Sequence, residues 1–206
     1  MAASLEPRPG ELLKLPENMM KLDKNKLVFL ALVIIFGVFF ICRVFSPFIP
    51  VRNITMTIVK QKGSIITLDT PVNQDFSAVY YINTINFRPG QVLYHNDLGN
   101  FAYSQDFFMY FKSSIRVEKT GFYTFNIASD DGFRLKLNGQ LIGEFISNRS
   151  FDSNQYRVFL AKGYYAMDLS YFQGYGLQGL TALYSFEDGR YYYFGEDSPP
   201  LSFIRH

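Results

Sequence analysis

The stretch Gly121-Phe-Tyr-Thr-Phe-Asn-Ile-Ala-Ser-Asp-Asp-Gly-Phe-Arg-Leu-Lys-Leu-Asn-Gly139 decides the fold. Tyr123, Phe125 and Ile127 alternate with Phe122, Thr124, Asn126 and Ala128, the two-residue period of a half-buried strand. After Asp130-Asp131-Gly132 the alternation resumes as Phe133, Leu135 and Leu137 against Arg134 and Lys136. It stops at Asn138-Gly139, a two-residue hairpin signal. The two aspartates therefore fall at a junction between strands. Leu141 to Phe145 reads as the return strand, followed by Tyr156 to Leu160, a turn at Ala161-Lys-Gly163, and Tyr164 to Tyr171.

Working outward, strand signals recur at Ile54 to Val59, Ser64 to Leu68, Ser77 to Ile82 and Phe107 to Val117. Turn signals separate them at Lys62-Gly63, Pro71, Arg88-Pro-Gly90 and Asn96-Asp-Leu-Gly99. Short strands broken by turns at this spacing predict an all-β sandwich.

These residues resemble a known family. Gly121, Tyr123, Phe125, Ser129-Asp130-Asp131-Gly132, Leu135, Asn138-Gly139 and then Leu160, Gly163, Tyr164 and Tyr165 follow, in order, the pattern of the domain named after the anthrax-toxin protective antigen, the PA-fourteen domain. The resemblance runs from near Tyr80 to the end and is densest from Gly121 to Tyr184. One departure stands out: the chain has no tryptophan, which family members commonly carry in the last strand, and places Tyr184-Ser-Phe-Glu-Asp-Gly189 there. The resemblance implies a β-sandwich. In calcium-dependent sugar-binding members, two adjacent aspartates joined by a cis peptide hold Ca²⁺, and the ion holds sugar hydroxyls; Asp130 and Asp131 are the matching positions. Two carboxylates are too few for a cation that takes six to eight oxygens. Asn148, Asp152, Asn154, Glu187 and Asp188 are the nearby candidates for the rest. The alternative is structural, with the first aspartate, Asp130, accepting backbone N–H bonds in the turn and the second, Asp131, solvated.

The N-terminal part is of a different kind. Leu27 to Cys42 is entirely apolar or glycine and Arg43-Val-Phe45 extends it, giving about 19 residues or roughly 28 Å of helix, close to the hydrocarbon thickness of a bilayer. No small-x-small cleavage pattern follows, so the stretch reads as a signal anchor spanning residues 27–45. Residues 1–26, with Pro7, Pro9, Gly10 and Pro16, predict a disordered cytoplasmic tail. Residues 46–52, stiffened by Pro47 and Pro50, form a short linker, which leaves residues 53–206 as one extracytoplasmic β-domain held near a plasma or inner membrane. Basic residues are balanced on the two sides of the span, so the orientation follows the resemblance rather than charge. The outer domain contains no cysteine, which suits a bacterial envelope better than a disulfide-rich secreted domain.

Composition limits the function. A chain of 206 residues, 48% of them hydrophobic, supports one good core. Its net charge of +2 and its lack of a basic patch argue against a nucleic-acid partner. With two histidines and no nucleophile, phosphate-loop or zinc motif, no enzyme is expected. Aromatics make up 18% of the chain, more than a small core needs. Tyr103, Phe108, Tyr110, Tyr191 and Tyr193 are therefore the candidates for an exposed interface. The first expectation is a non-enzymatic subunit docking onto an envelope protein of a secretion, pilus or flagellar-motor assembly. The second is a calcium-dependent carbohydrate-binding module acting on envelope or surface glycan.

Overall fold

The computed structural model describes residues 23–45, 52–101 and 103–204. The chain divides into two units, Met1–Ile49 and Pro50–His206. In the first, helix α1 spans Lys24–Phe45. Asp23 opens it, its carbonyl accepting from Lys26 N at 2.8 Å and Leu27 N at 3.0 Å. The helix thus starts before the apolar run, and it is long and apolar enough to cross a membrane. The tail expected before it lies outside the described residues up to 22, as does the linker over 46–51.

The second unit is built from β1 Ile54–Gln61, β2 Gln74–Ile82, β3 Asn86–Gly90, β4 Tyr94–His95, β5 Gly99–Asn100, β6 Phe107–Val117, β7 Gly121–Asp130, β8 Phe133–Leu137, β9 Gln140–Phe145, β10 Asp152–Leu160, β11 Gly163–Gln173, β12 Gln178–Phe186, β13 Tyr192–Tyr193 and β14 Leu201–Ile204. They form two antiparallel sheets. The first runs β2-β1-β6-β11-β8-β9, with β14 pairing the end of β6, and the second runs β10-β7-β12-β3-β4-β5, with β13 on β12. The expected all-β sandwich is therefore present.

The period-two pattern places the core between the sheets. Tyr123, Phe125 and Ile127 of β7 face inward against Phe133, Leu135 and Leu137 of β8, all buried. Truncating one such phenylalanine to alanine removes about 3–5 kcal/mol. Asn138 and Gly139, with φ of 49° and 77°, make the two-residue turn between β8 and β9.

Three expectations fail, each for a local reason. Ser64 to Leu68 is not a strand. It folds as a flap whose Ile65 and Leu68 are buried over Val59, Phe108 and Phe172, so the apolar residues that suggested a strand seal the outer face of the first sheet. Arg88-Pro-Gly90 is the end of β3 rather than a turn. Its partner β12 shifts register between Gln178 and Leu180, and this bulge tolerates the N–H that Pro89 lacks. The strand read near Tyr184 ends at Phe186, because Glu187 and Asp188 adopt φ of 47° and 56°, and two short strands follow.

Register defines two poles. Lys60↔Phe107, Gln173↔Phe107, Gly179↔Asp130, Asp152↔Ser129 and Gln178↔Gly90 bring the loops 62–73, 91–93, 131–132, 146–151 and 174–177 to one pole. Ile54↔Ile82, Gly163↔Val117 and Leu160↔Gly121 lie at the other, where the chain enters the sandwich.

Candidate functional site

Asp130 is the last residue of β7 and Asp131 begins the crossing to β8, so the pair sits where the chain passes from one sheet to the other. The peptide between them is cis. Both residues are nearly buried, at 6% and 3% exposure. Beneath them the Tyr171 hydroxyl shares its one proton between the Asp130 carbonyl and Gln173 Oε1, the latter at 2.6 Å, and Gln173 Nε2 donates to the Leu177 carbonyl at 2.8 Å. A polar plug in the core thus ties the acidic turn to the loop after β11.

The two carboxylates are held differently. Asp131 accepts Arg149 N on Oδ1 at 3.2 Å and Gly174 N on Oδ2 at 2.8 Å, one backbone donor from each flanking loop. Burial raises its pKa, and the two donors oppose the rise. Asp130 is pushed up to about 6, first by burial and then by the neighbouring Asp131 charge, with a backbone N–H from Phe151 and the Arg149 charge acting against both.

Arg149 stands beside the pair without bonding its carboxylates through the guanidinium. Its Nε and Nη2 donate to Ser129 O and Oγ at 3.2 and 2.9 Å, Nη1 donates to Asn154 Oδ1 at 2.5 Å, and the group lies 4.4 Å over the Phe145 ring. Burial lowers its pKa. Among the described residues, neither carboxylate forms an ion pair.

The pair opens into a pocket of about 300 Å³ lined also by Asn148, Arg149, Ser150, Tyr175 and Leu177. Among the described residues no three or more His, Cys, Asp or Glu side chains gather as a metal cluster. A cation held here would draw on the two carboxylates, the Asn148 amide oxygen and backbone or ligand oxygens. That donor set suits calcium, which accepts amide and carbonyl oxygens and needs no third carboxylate.

Of the five additional candidate ligands, only Asn148 lines the pocket. Asn154 is engaged by Arg149, and Asp152 turns its Oδ1 to Ser153 N at 2.7 Å. Glu187 and Asp188 follow Phe186, which pairs with Tyr123, so they lie at the other pole, roughly 23 Å along β7 from Asp130. Sequence reading missed Tyr175 and Leu177, which are 75% and 56% exposed. The glycines around Tyr175 were their only signal, an aromatic held in a loop between strands.

The interface candidates disperse. Phe108 is 1% exposed beneath the flap and belongs to the packing of the sheet face, not to a surface. Tyr110 stacks on it, half-buried. Tyr103 packs between Phe76 and Phe107. Tyr193 is half-buried on β13, and Tyr191 is exposed at the pole opposite the pocket.

The sequence profile of the PA14 domain matches residues 69–193. Among solved structures, the chain is similar to the PA14 domain of an antifreeze protein, at 16% identity and a TM-score of 0.55 over 68% of this chain and 86% of that one. It is similar to a PA14 sugar-binding domain from an RTX adhesin, at 16% identity and a TM-score of 0.57 over 70% and 96%. It also resembles the epithelial adhesin 9 A domain of Candida glabrata in complex with Galβ1-4GlcNAc, at 12% identity and a TM-score of 0.52 over 72% and 88%. At these identities the likeness establishes the fold. No curated protein matches the chain in sequence.

Proposed function

The chain belongs to the PA14 domain family, and from that premise we propose that it is a membrane-anchored, non-enzymatic carbohydrate-binding module, extracytoplasmic, with a calcium-dependent pocket at Asp130 and Asp131 that takes envelope or surface glycan. One observation carries the reading: two adjacent, nearly buried carboxylates face an open pocket and, among the described residues, have no ion-pair partner. Burial raises the pKa of both carboxylates and the Asp131 charge raises that of Asp130 further, so ionising the pair is costly and a bound divalent cation relieves that cost. Bound calcium would supply coordination positions for sugar hydroxyls. Asp131 holds both loops in place through Arg149 N and Gly174 N, and Asn148 and the exposed Tyr175 line the same space. The two adhesin domains described above, one sugar-binding and one seen with a disaccharide, support this choice.

Docking onto an envelope partner is the weaker reading, since Tyr103 packs on Phe76 and Phe107 at the pocket pole, Tyr191 lies at the other pole and Phe108 is buried. Helix α1 supports anchoring by its length and composition.

The test is a thermal melt of the detergent-solubilised full chain in calcium and in chelator, followed by a glycan array. Calcium at 100 times its dissociation constant adds about 2.7 kcal/mol. For a chain of this size the midpoint should then rise by roughly 5–10 °C. The rise should vanish in Asp130→Asn, and array binding should require calcium. A flat melt together with no calcium-dependent array signal overturns the proposal.

A further inference from the structure

The flap that replaces the expected strand touches both walls of the pocket. At one end Ile65 N donates to Asp106 Oδ1 at 3.0 Å, and Asp106 N donates to the Gly174 carbonyl at 2.8 Å, next to Tyr175. At the other end Leu68 N donates to the Ile146 carbonyl at 2.9 Å and Thr67 bridges Ser147, next to Asn148. The apolar underside, Ile65 and Leu68, is buried against the sheet. Asp131 ties the same two walls from inside the pocket, through Arg149 N and Gly174 N. The walls are therefore held twice, once by a carboxylate that ligand binding would draw on and once by a segment outside the pocket.

The flap has a latch. Arg134, on the outer face of β8, donates from Nη1 and Nη2 to Asp69 Oδ1 and Oδ2 at 2.9 and 3.3 Å, and from Nε to Glu144 Oε2 at 2.5 Å. Asp69 sits within the flap with its side chain 56% exposed, and its pKa is lowered first by the hydrogen bond from Arg134.

We propose that the flap 64–70 is a brace that fixes the separation of the two pocket walls, and that Arg134 and Asp69 are positioning residues for ligand binding. The proposal rests on the reading of the pocket as a binding site. When a ligand or cation draws on the Asp131 oxygens, the inner ties to Gly174 and Arg149 are shared. The brace then keeps Tyr175 and Asn148 in place, so less order has to be imposed on binding. Electrostatics alone makes the opposite prediction: removing the Arg134 charge leaves the surroundings more negative, which would strengthen the binding of a cation.

The test compares wild type, Arg134→Ala, Arg134→Lys and Asp69→Asn, as full chains in detergent, by hydrogen–deuterium exchange in chelator and by calcium titration. In Arg134→Ala, exchange over 65–69, 146–150 and 174–177 should rise by about tenfold while the β7 and β12 amides stay protected. Calcium affinity should fall by about tenfold, the scale of lost outer-shell support. Arg134→Lys should recover most of both effects. Asp69→Asn, altering a solvent-facing side chain, should shift both the same way with little change in melting, so a folding failure of Arg134→Ala leaves the proposal testable. Loosening of 65–69 without loosening of the two walls overturns the brace, and so does calcium binding that tightens. If wild type binds neither calcium nor glycan, the pocket reading fails, while the exchange arm still decides whether the flap braces the walls.

Discussion

The two poles of the sandwich use buried polar groups to opposite ends. At the pole where the chain enters, tyrosine hydroxyls staple the connections. The Tyr123 hydroxyl shares its one proton between the Lys119 and Pro200 carbonyls, 2.8 Å from each, and Tyr184 Oη lies 2.7 Å from the Glu196 carbonyl, to which it donates, and 2.9 Å from Ser198 Oγ. Burial pushes the Tyr123 hydroxyl up to about 12 and the Tyr184 hydroxyl higher, so both remain neutral donors at any physiological pH. Asn53 closes the same pole with a bond to the Gly195 carbonyl at 3.0 Å. At the pocket pole the Tyr171 and Gln173 plug is capped by two carboxylates held out of water, and the pKa of Asp130 is pushed up to about 6. A pole built from neutral donors on carbonyls is finished; a pole built from paired carboxylates retains acceptor capacity for something else.

The largest break falls at the closed pole. Gly195 has φ +102°, and a Cβ there would lie 1.7 Å from the Asn83 carbonyl oxygen. No side-chain rotation relieves a clash with backbone. Gly195→Ala should therefore cost upwards of about 3 kcal/mol in chemical denaturation, without removing the calcium response of the molecules that remain folded. A variant of wild-type stability would show that this pole is looser than its packing indicates.

The next change sharpens the contrast by reversing its sign. Because folding raises the Asp130 pKa, the native state binds more protons than the unfolded chain between about pH 4 and 6. Stability from this group is present below that window and is lost as pH rises through it. In chelator, then, wild type should melt lower at pH 7.5 than at pH 5 on this account, and Asp130→Asn should flatten that slope to what Asp131, also raised by burial, contributes and melt several degrees higher at pH 7.5. The same variant should abolish calcium binding. A lower melt for Asp130→Asn at pH 7.5 would make Asp130 a structural cap and bring the two poles into line.

The same contrast explains what the sequence could and could not reveal. The period of two from Gly121 to Leu137, the Asn138-Gly139 turn and the ordered family pattern identified the sandwich and its acidic corner, because strand alternation and turn chemistry act between near neighbours. Ser64 to Leu68 misled because an apolar segment sealing a sheet face has the composition of a strand, while its buried residues, Ile65 and Leu68, are three apart rather than two, and its real partners, Asp106, Ile146 and Arg134, are distant in sequence. Phe108 misled for the complementary reason: on the outer face of β6, only the flap makes it interior. Asn148 was one of five equal candidates until register brought loop 146–151 beside loop 174–177 and sent Glu187 and Asp188 to the far pole. Tyr175 carried no motif at all.

Tyr175 gives the smallest expected effect on stability and the most specific one on binding. It is 75% exposed, and none of the ring–ring or cation–ring contacts among the described residues involves it. Tyr175→Ala should therefore leave unfolding within about 0.5 kcal/mol of wild type. An exposed aromatic ring lining a polar pocket is available for a sugar ring to pack on, and losing such an anchor costs more than about 1 kcal/mol of binding. Affinity for glycan should consequently fall by about tenfold while calcium affinity, which draws on Asp130 and Asp131, stays as it was. Tyr191→Ala is the matched control, since that ring is exposed at the opposite pole and should change neither quantity. Equal effects from the two tyrosines would place glycan contact away from the pocket; loss confined to Tyr175→Ala would place it on the wall that the flap supports.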